Sequence, residues 1–176
     1  IIMITLIRKL LSCPVAVFGG ITLVSVFALA AALYSEVALD LEPCILCIYQ
    51  RIPFVIGALL GVIGLALRKK TKIVNWILAA LGVNFLINSG IAFYHTGVEQ
   101  KWWVSAVEGC AVPNFGDSEP QSILEDILSA PTAACSEIPW QDPIIGLSMA
   151  NYNVILCFGI ALACALSIII RRKADA

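Results

Sequence analysis

The sequence is short of charge. Only 13% of its 176 residues are Asp, Glu, Lys or Arg, roughly half the share a soluble domain carries. That shortage excludes an ordinary soluble fold, and 60% hydrophobic residues with a mean hydropathy of +0.94 say why. Most of the chain has lipid for a solvent. With a net charge of −1 there is no basic surplus for nucleic acid. Histidine is scarcer still, with His95 alone. One histidine and no second Cys-x-x-Cys leave a structural zinc short of its four donors, so no metal is expected. A nucleotide-phosphate loop is missing as well. The first residue is Ile1 rather than Met, which leaves the natural N-terminus open.

Long apolar runs are what the chain does have. A hydrocarbon core needs about 20 apolar residues as helix, and four stretches qualify, at about 14–33, 48–67, 73–94 and 153–170. Arg51 is the one charged residue inside them. The expected fold is an all-α integral membrane protein, a four-helix transmembrane bundle forming a single membrane domain over 1–176. Arg8, Lys9 and the run to Ala28-Leu29-Ala30 also resemble a cleavable signal peptide. The run stays apolar to Leu33, longer than such peptides need, so the first span is kept.

Charge sidedness orients the bundle. Arg8 and Lys9, then Arg68, Lys69, Lys70 and Lys72, then Arg171, Arg172 and Lys173 fall on one side, nine of eleven basic residues. All the acidic residues except Asp175 fall in the segments facing the other way. Both termini are therefore expected in the cytoplasm, with outward loops at about 34–43 and 95–151, the long one between the third and fourth spans. Gly57 and Gly61 offer a small-residue packing face. Pro53 removes a backbone bond near the outer end of the second span. Asn84, Asn88 and His95 share one stripe of the third, where interhelical hydrogen bonds are the expectation for the asparagines.

Of seven cysteines, four lie on the outward side: Cys44, Cys47, Cys110 and Cys135. Cys13, Cys157 and Cys164 lie elsewhere and read as small inert hydrophobes. Glu42 and Pro43 mark a helix start, which puts Cys44 and Cys47 on one face of a first turn. Free amides and the helix dipole favour a thiolate there. Arg51 is four residues past Cys47, and a cation this near hydrocarbon is a functional candidate. It is placed to hold a thiolate at Cys47 or negative charge on a neighbouring acceptor; snorkelling to the interface is the plainer reading. Haem attachment wants His after the second Cys, and Ile48 is there. Cys110 and Cys135 sit in the long loop as either a static disulfide or a mobile one exchanging with Cys44–Cys47. Trp102 and Trp103 read as interfacial anchors. Ser118 to Leu128 has a capping-box start and an apolar side suited to a membrane surface. Electrons taken from thiols need a sink. Without a metal or nucleotide motif, the chain must borrow a lipid-soluble one.

The run Glu42-Pro-Cys-Ile-Leu-Cys-Ile-Tyr-Gln-Arg51 resembles the first-loop motif of the bacterial disulfide bond formation protein DsbB family. So do the four spans, Tyr94-His95, the second cysteine pair and Gly146-Leu-Ser-Met-Ala-Asn-Tyr-Asn153. Gly97 to Trp103 and the loop length depart from the enterobacterial members. The resemblance implies an inner-membrane thiol:quinone oxidoreductase that reoxidises a periplasmic thiol oxidase of the DsbA type. It implies attack on Cys110 of a Cys110–Cys135 disulfide, then a transient Cys44–Cys135 link releasing Cys47. Cys47 would pass electrons to ubiquinone or menaquinone from the membrane pool, with Arg51 polarising the quinone and His95 touching it. His95 also has the plainer reading of an interfacial histidine. Two other readings compete. A four-span scaffold with a disulfide-stapled outer loop needs stable disulfides rather than a reactive pair. An oxidoreductase of the vitamin K epoxide reductase type would carry its pair on a late helix.

Overall fold

Cys13 and Pro14 set the first boundary. Cys13 is extended (φ −89°, ψ 111°), as a residue before proline prefers, and Pro14 opens the next helix where its missing N–H costs nothing. In the computed structural model, which describes residues 2–107, 110 and 134–174, the described residues form five helices and no strand. These are α1 (Ile2–Ser12), α2 (Pro14–Leu39), α3 (Ile45–Ala66), α4 (Thr71–Glu99) and α5 (Met149–Ala174). The helices α2 to α5 are each long and apolar enough to cross a membrane. Only 17–33% of each apolar stretch is buried inside the protein, so most of each span is left to face lipid.

The helices outrun the spans read from hydropathy. Tyr34 to Leu39, expected in the first outward loop, continue α2. That helix stops only at Asp40, whose left-handed backbone (φ 50°) turns the chain. The first connection is therefore 40–44 rather than 34–43. His95 to Glu99 extend α4 where the long loop was expected to begin, and α5 begins at Met149. Hydropathy marks where hydrocarbon ends, whereas capping and turns mark where helix ends. The residues before Pro14 are helical too, because α1 is too short for a membrane-length window to register. Ser167 donates to the Leu11 carbonyl at 2.7 Å, and Arg171 reaches the Ser12 carbonyl at 3.3 Å, so α5 holds the end of α1.

Neighbours in sequence are neighbours in space. The α4–α5 contact is the most extensive, α2 packs on α3, α3 on α4, and α2 barely meets α5. One core joins them through Phe18, Ile21, Phe54, Leu78, Leu81, Phe85 and Cys164. The small-residue face of α3 does what its spacing predicts. A Cβ on Gly57 would lie 2.6 Å from the Phe85 ring, one on Gly61 would strike Thr22, and one on Gly64 would lie 2.5 Å from Phe18. Packing here rests on close approach, since lipid supplies no hydrophobic drive between helices. The asparagines bridge helices as expected: Asn84 donates to the Pro53 carbonyl at 2.9 Å and Asn88 to the Gln50 carbonyl at 3.1 Å.

Candidate redox site

Cys44 is the N-cap of α3 rather than a member of its first turn. Its backbone is extended (φ −72°, ψ 164°), and its sulfur accepts the Cys47 N–H at 3.3 Å. A sulfur thus fills the capping role usually given to Ser or Asp. The two thiols are 2.9 Å apart, free, and hydrogen-bonded to each other. Cys44 is buried while Cys47 is half-buried. The Cys44 thiol is pulled down from 9.0 to about 4. The hydrogen bond from Cys47 is the main cause; burial opposes it, and His95 adds to it. The thiolate of the reduced pair is therefore favoured at Cys44.

His95 comes from α4, 51 residues away, and its Nε2 lies 3.5 Å from the Cys44 sulfur. Gln50 fixes the ring. Its Nε2 donates to His95 Nδ1 at 2.9 Å and to the Leu46 carbonyl at 3.2 Å, which leaves the ring proton on Nε2, facing Cys44. Glu99, one turn along α4, brings its Oε1 to 3.7 Å from the same nitrogen. This buried carboxylate is held by the Ser148 hydroxyl at 2.5 Å, just before α5. On the other side, Asn153 donates to Gln50 Oε1 at 2.5 Å and accepts from Cys157 at 3.0 Å, while Asn88 donates to Cys157 at 3.3 Å. A continuous polar chain thus crosses three helices and ends at the Cys44 sulfur. Buried polar groups linked in this way fix one another's orientation.

Cys110 and Cys135 are joined as a disulfide, both buried. They share one apolar cluster with Cys44, Leu46 and Val98, against which Ile45, Cys47, Tyr94 and Val107 pack. The backbone of Cys135 also interacts with the His95 ring. The fold therefore gathers both cysteine pairs and the sole histidine at one end of the bundle. Arg51 does not join them. One turn further along α3, it forms an ion pair with Glu36 of α2. Trp102 and Trp103 are partly exposed, as anchors would be, but they also pack inward. Trp103 stacks on Tyr94 at 5.9 Å and donates to its carbonyl, lying where a Cβ on Gly97 would sit. The segment Ser118–Leu128 lies outside the described residues.

The inert reading suits Cys164, which is buried in the core. Cys157 is buried too, but it is hydrogen-bonded on both sides, so it belongs to the polar chain as well as to the core. Sequence reasoning gave Gln50, Glu99, Ser148 and Asn153 no role, although Gln50, Ser148 and Asn153 lie in the two runs that carry the family resemblance. Glu99 carried a signal, since it is four residues past His95 and so on the same helical face. That signal is lost if the helix is ended at Tyr94.

The chain was compared with known proteins. A family model described as disulfide bond formation protein DsbB matches residues 15–167. A disulfide bond formation protein B from Shewanella sp. (strain MR-4) is 34% identical over 142 residues, covering 80% of this chain and 78% of the relative. One from Xanthomonas euvesicatoria pv. vesicatoria (strain 85-10) is 33% identical over 144 residues, 76% of this chain and 78% of the relative. One from Dechloromonas aromatica (strain RCB) is 30% identical over 152 residues, 81% and 84%. No solved structure matches. Four membrane-length helices, two gathered cysteine pairs and a family match over most of the length agree, and the chain belongs to the DsbB family of disulfide bond formation proteins, disulfide-generating oxidoreductases of bacteria.

Proposed function

We propose that the chain reoxidises a periplasmic dithiol oxidase of the DsbA type and delivers the electrons to ubiquinone or menaquinone in the bacterial inner membrane, with both termini cytoplasmic. The observation that carries this reading is the shared cluster of Cys110–Cys135 with Cys44 and Cys47. Exchange needs a thiolate in line with a disulfide, and a common apolar cluster at one end of the bundle keeps the two pairs in reach.

The steps balance as thiol–disulfide exchanges, starting with both pairs oxidised. A partner thiolate attacks Cys110, and Cys135 leaves as a thiolate. Cys135 attacks Cys44, forming Cys44–Cys135 and releasing Cys47. The partner's second thiol resolves the mixed disulfide at Cys110. Cys110 then attacks Cys135, restoring Cys110–Cys135 and leaving Cys44 and Cys47 reduced with two electrons to pass on. Cys110 and Cys135 bonded, with Cys44 and Cys47 free, is the electron-loaded form of this scheme.

A quinone bound near Cys47 would accept those two electrons with two protons. The residues present suit it. Cys47 is the half-exposed member of the pair, His95 is buried beside it, and Arg51 is one turn below with Glu36 as its counter-ion. In this reading Arg51 orients the acceptor, His95 and Glu99 hold charge and protons beside Cys44, and the polar chain through Gln50 keeps His95 in place. A stapled scaffold would have no use for a free cysteine pair held against the chain's one histidine.

The test is an assay of the purified full-length chain with ubiquinone and a reduced periplasmic thiol protein, following quinone absorbance. Cys44→Ala and Cys47→Ala should each abolish quinone reduction, and full turnover in either rejects the proposal.

A further inference from the structure

The sequence has too few donors for a zinc site when its motifs are counted along the chain. The fold changes the count. Sγ of Cys44, Sγ of Cys47 and a ring nitrogen of His95 all lie within 4.8 Å of one another. We propose that in the reduced protein these three residues form a binding site for one thiophilic closed-shell cation, Zn²⁺ first among them. The site needs only that the pair be reduced, and it stands whether or not a quinone is the oxidant.

The geometry is close to what the ion requires. Zn–S bonds of about 2.3 Å and Zn–N bonds of about 2.1 Å in a tetrahedron put sulfur and nitrogen roughly 3.6 Å apart and the two sulfurs roughly 3.8 Å apart. The Cys44 sulfur and His95 Nε2 are already 3.5 Å apart. The sulfurs, at 2.9 Å, must open by a little under 1 Å. Side-chain rotation about the half-buried Cys47 supplies that. Cys-x-x-Cys at a helix start is a common zinc-ligand spacing, and the Cys47 N–H already points at the Cys44 sulfur to offset thiolate charge.

Two neighbours flank the site. Glu99 Oε1 lies 3.7 Å from His95 Nε2 but is not one of the three mutually close donors, which leaves the fourth position to water. Gln50 supplies the support that a ligating histidine needs on its other nitrogen. Metal at Nε2 requires the proton on Nδ1. Rotation of the Gln50 amide brings Oε1 round to accept it at the cost of the Gln50 bond to the Leu46 carbonyl, and Asn153 can rotate in step, because its partners Gln50 and Cys157 each accept and donate. Binding changes no oxidation state. The two sulfurs bind as thiolates, the proton that the pair still carries goes to solvent, and two negative charges meet the divalent ion. A metal-bound pair can neither attack a disulfide nor surrender electrons, so the ion would lock the protein in its reduced form.

The probe is Co²⁺, whose bonds to thiolate give charge-transfer absorption. The full-length chain with Cys110→Ala and Cys135→Ala leaves only the inner pair responsive to reductant. The reduced protein should bind one Co²⁺ with this absorption, and one equivalent of Zn²⁺ should displace it. The same protein oxidised should bind none, which serves as a folded control without a further substitution. The unsubstituted chain, reduced against oxidised, repeats the comparison should the double variant fold poorly. His95→Ala should weaken binding at least about tenfold. Equal uptake by reduced and oxidised protein overturns the site, and unchanged affinity in His95→Ala overturns the ligand set. Quinone reduction by the unsubstituted chain, assayed with a chelator present, tests the proposed function separately.

Discussion

The ionised Cys44 can be tested by removing the group that ionises it. At pH 5 a thiol of pKa about 4 is about nine-tenths thiolate, whereas one at 9.0 is about one part in ten thousand thiolate. Intrinsic nucleophilicity falls as pKa falls, with a slope of about 0.4–0.5, which costs the more acidic thiol roughly 100–300-fold. The net advantage at pH 5 is therefore roughly 30–100-fold in alkylation rate, if Cys47→Ala returned Cys44 fully to 9.0. His95 remains in that variant, so the observed loss should fall below this ceiling. His95→Ala should cost less than Cys47→Ala, because the Cys47 hydrogen bond is the larger cause. The assay reduces the full chain, quenches iodoacetamide reactions from pH 3 to pH 9, and follows the Cys44 peptide by mass spectrometry. Limited access to a buried sulfur slows every variant alike and cancels in the ratio. The reasoning is refuted if Cys47→Ala still inflects near pH 4, or if His95→Ala alone removes the inflection. The same depression has a sign in stability. The folded pKa lies below the unfolded one, so Cys44 stabilises the reduced protein fully above about pH 9, and that contribution is lost as pH falls toward 4.

Other outcomes follow from the packing and the polar chain. Gly64→Ala puts a methyl 2.5 Å from the Phe18 ring and should lower stability by about 1–3 kcal/mol, read as a reduced melting temperature in detergent. Ser148→Ala strips the buried Glu99 carboxylate of its hydroxyl donor and should cost about 1–3 kcal/mol; unchanged melting would mean that water replaces the hydroxyl. Asn88→Ala should cost less, about 0.6 kcal/mol, as interhelical hydrogen bonds in membranes do on average. Arg51→His should raise the quinone concentration needed for half-maximal rate while leaving melting nearly unchanged, and equal quinone dependence would remove Arg51 from the acceptor site.

The parts of this molecule that sequence revealed are those encoded locally. Span number follows from hydropathy, the Gly57–Gly61 face from helical spacing, and the interhelical asparagines from polarity inside an apolar run. The Cys44–Cys47 pair could be read from its helix start. What sequence left hidden depends on distant segments meeting. Glu36 counted only as one of the outward acidic residues, yet α2 runs on past Leu33 and delivers it to Arg51. Glu99 looked like a loop carboxylate until α4 carried it to Ser148, 49 residues later. Cys157 looked inert because one partner, Asn88, comes from α4, and the other, Asn153 one turn back in α5, had been given no role.

The pairing of α4 with α5 has a consequence for how the chain tolerates change. These two helices make the most extensive contact in the bundle, yet they are joined by the longest connection. Their adhesion runs directly from helix to helix, through Ser89 to the Val154 carbonyl at 3.1 Å and the Cys157–Asn88 bond, and it does not depend on the tether. A protease cut between α4 and α5 should therefore leave two fragments that migrate as one particle, with the Cys110–Cys135 bond bridging any nick made between those two residues. The same independence frees that connection to lengthen, shorten or be exchanged among relatives without re-engineering the helices beneath it.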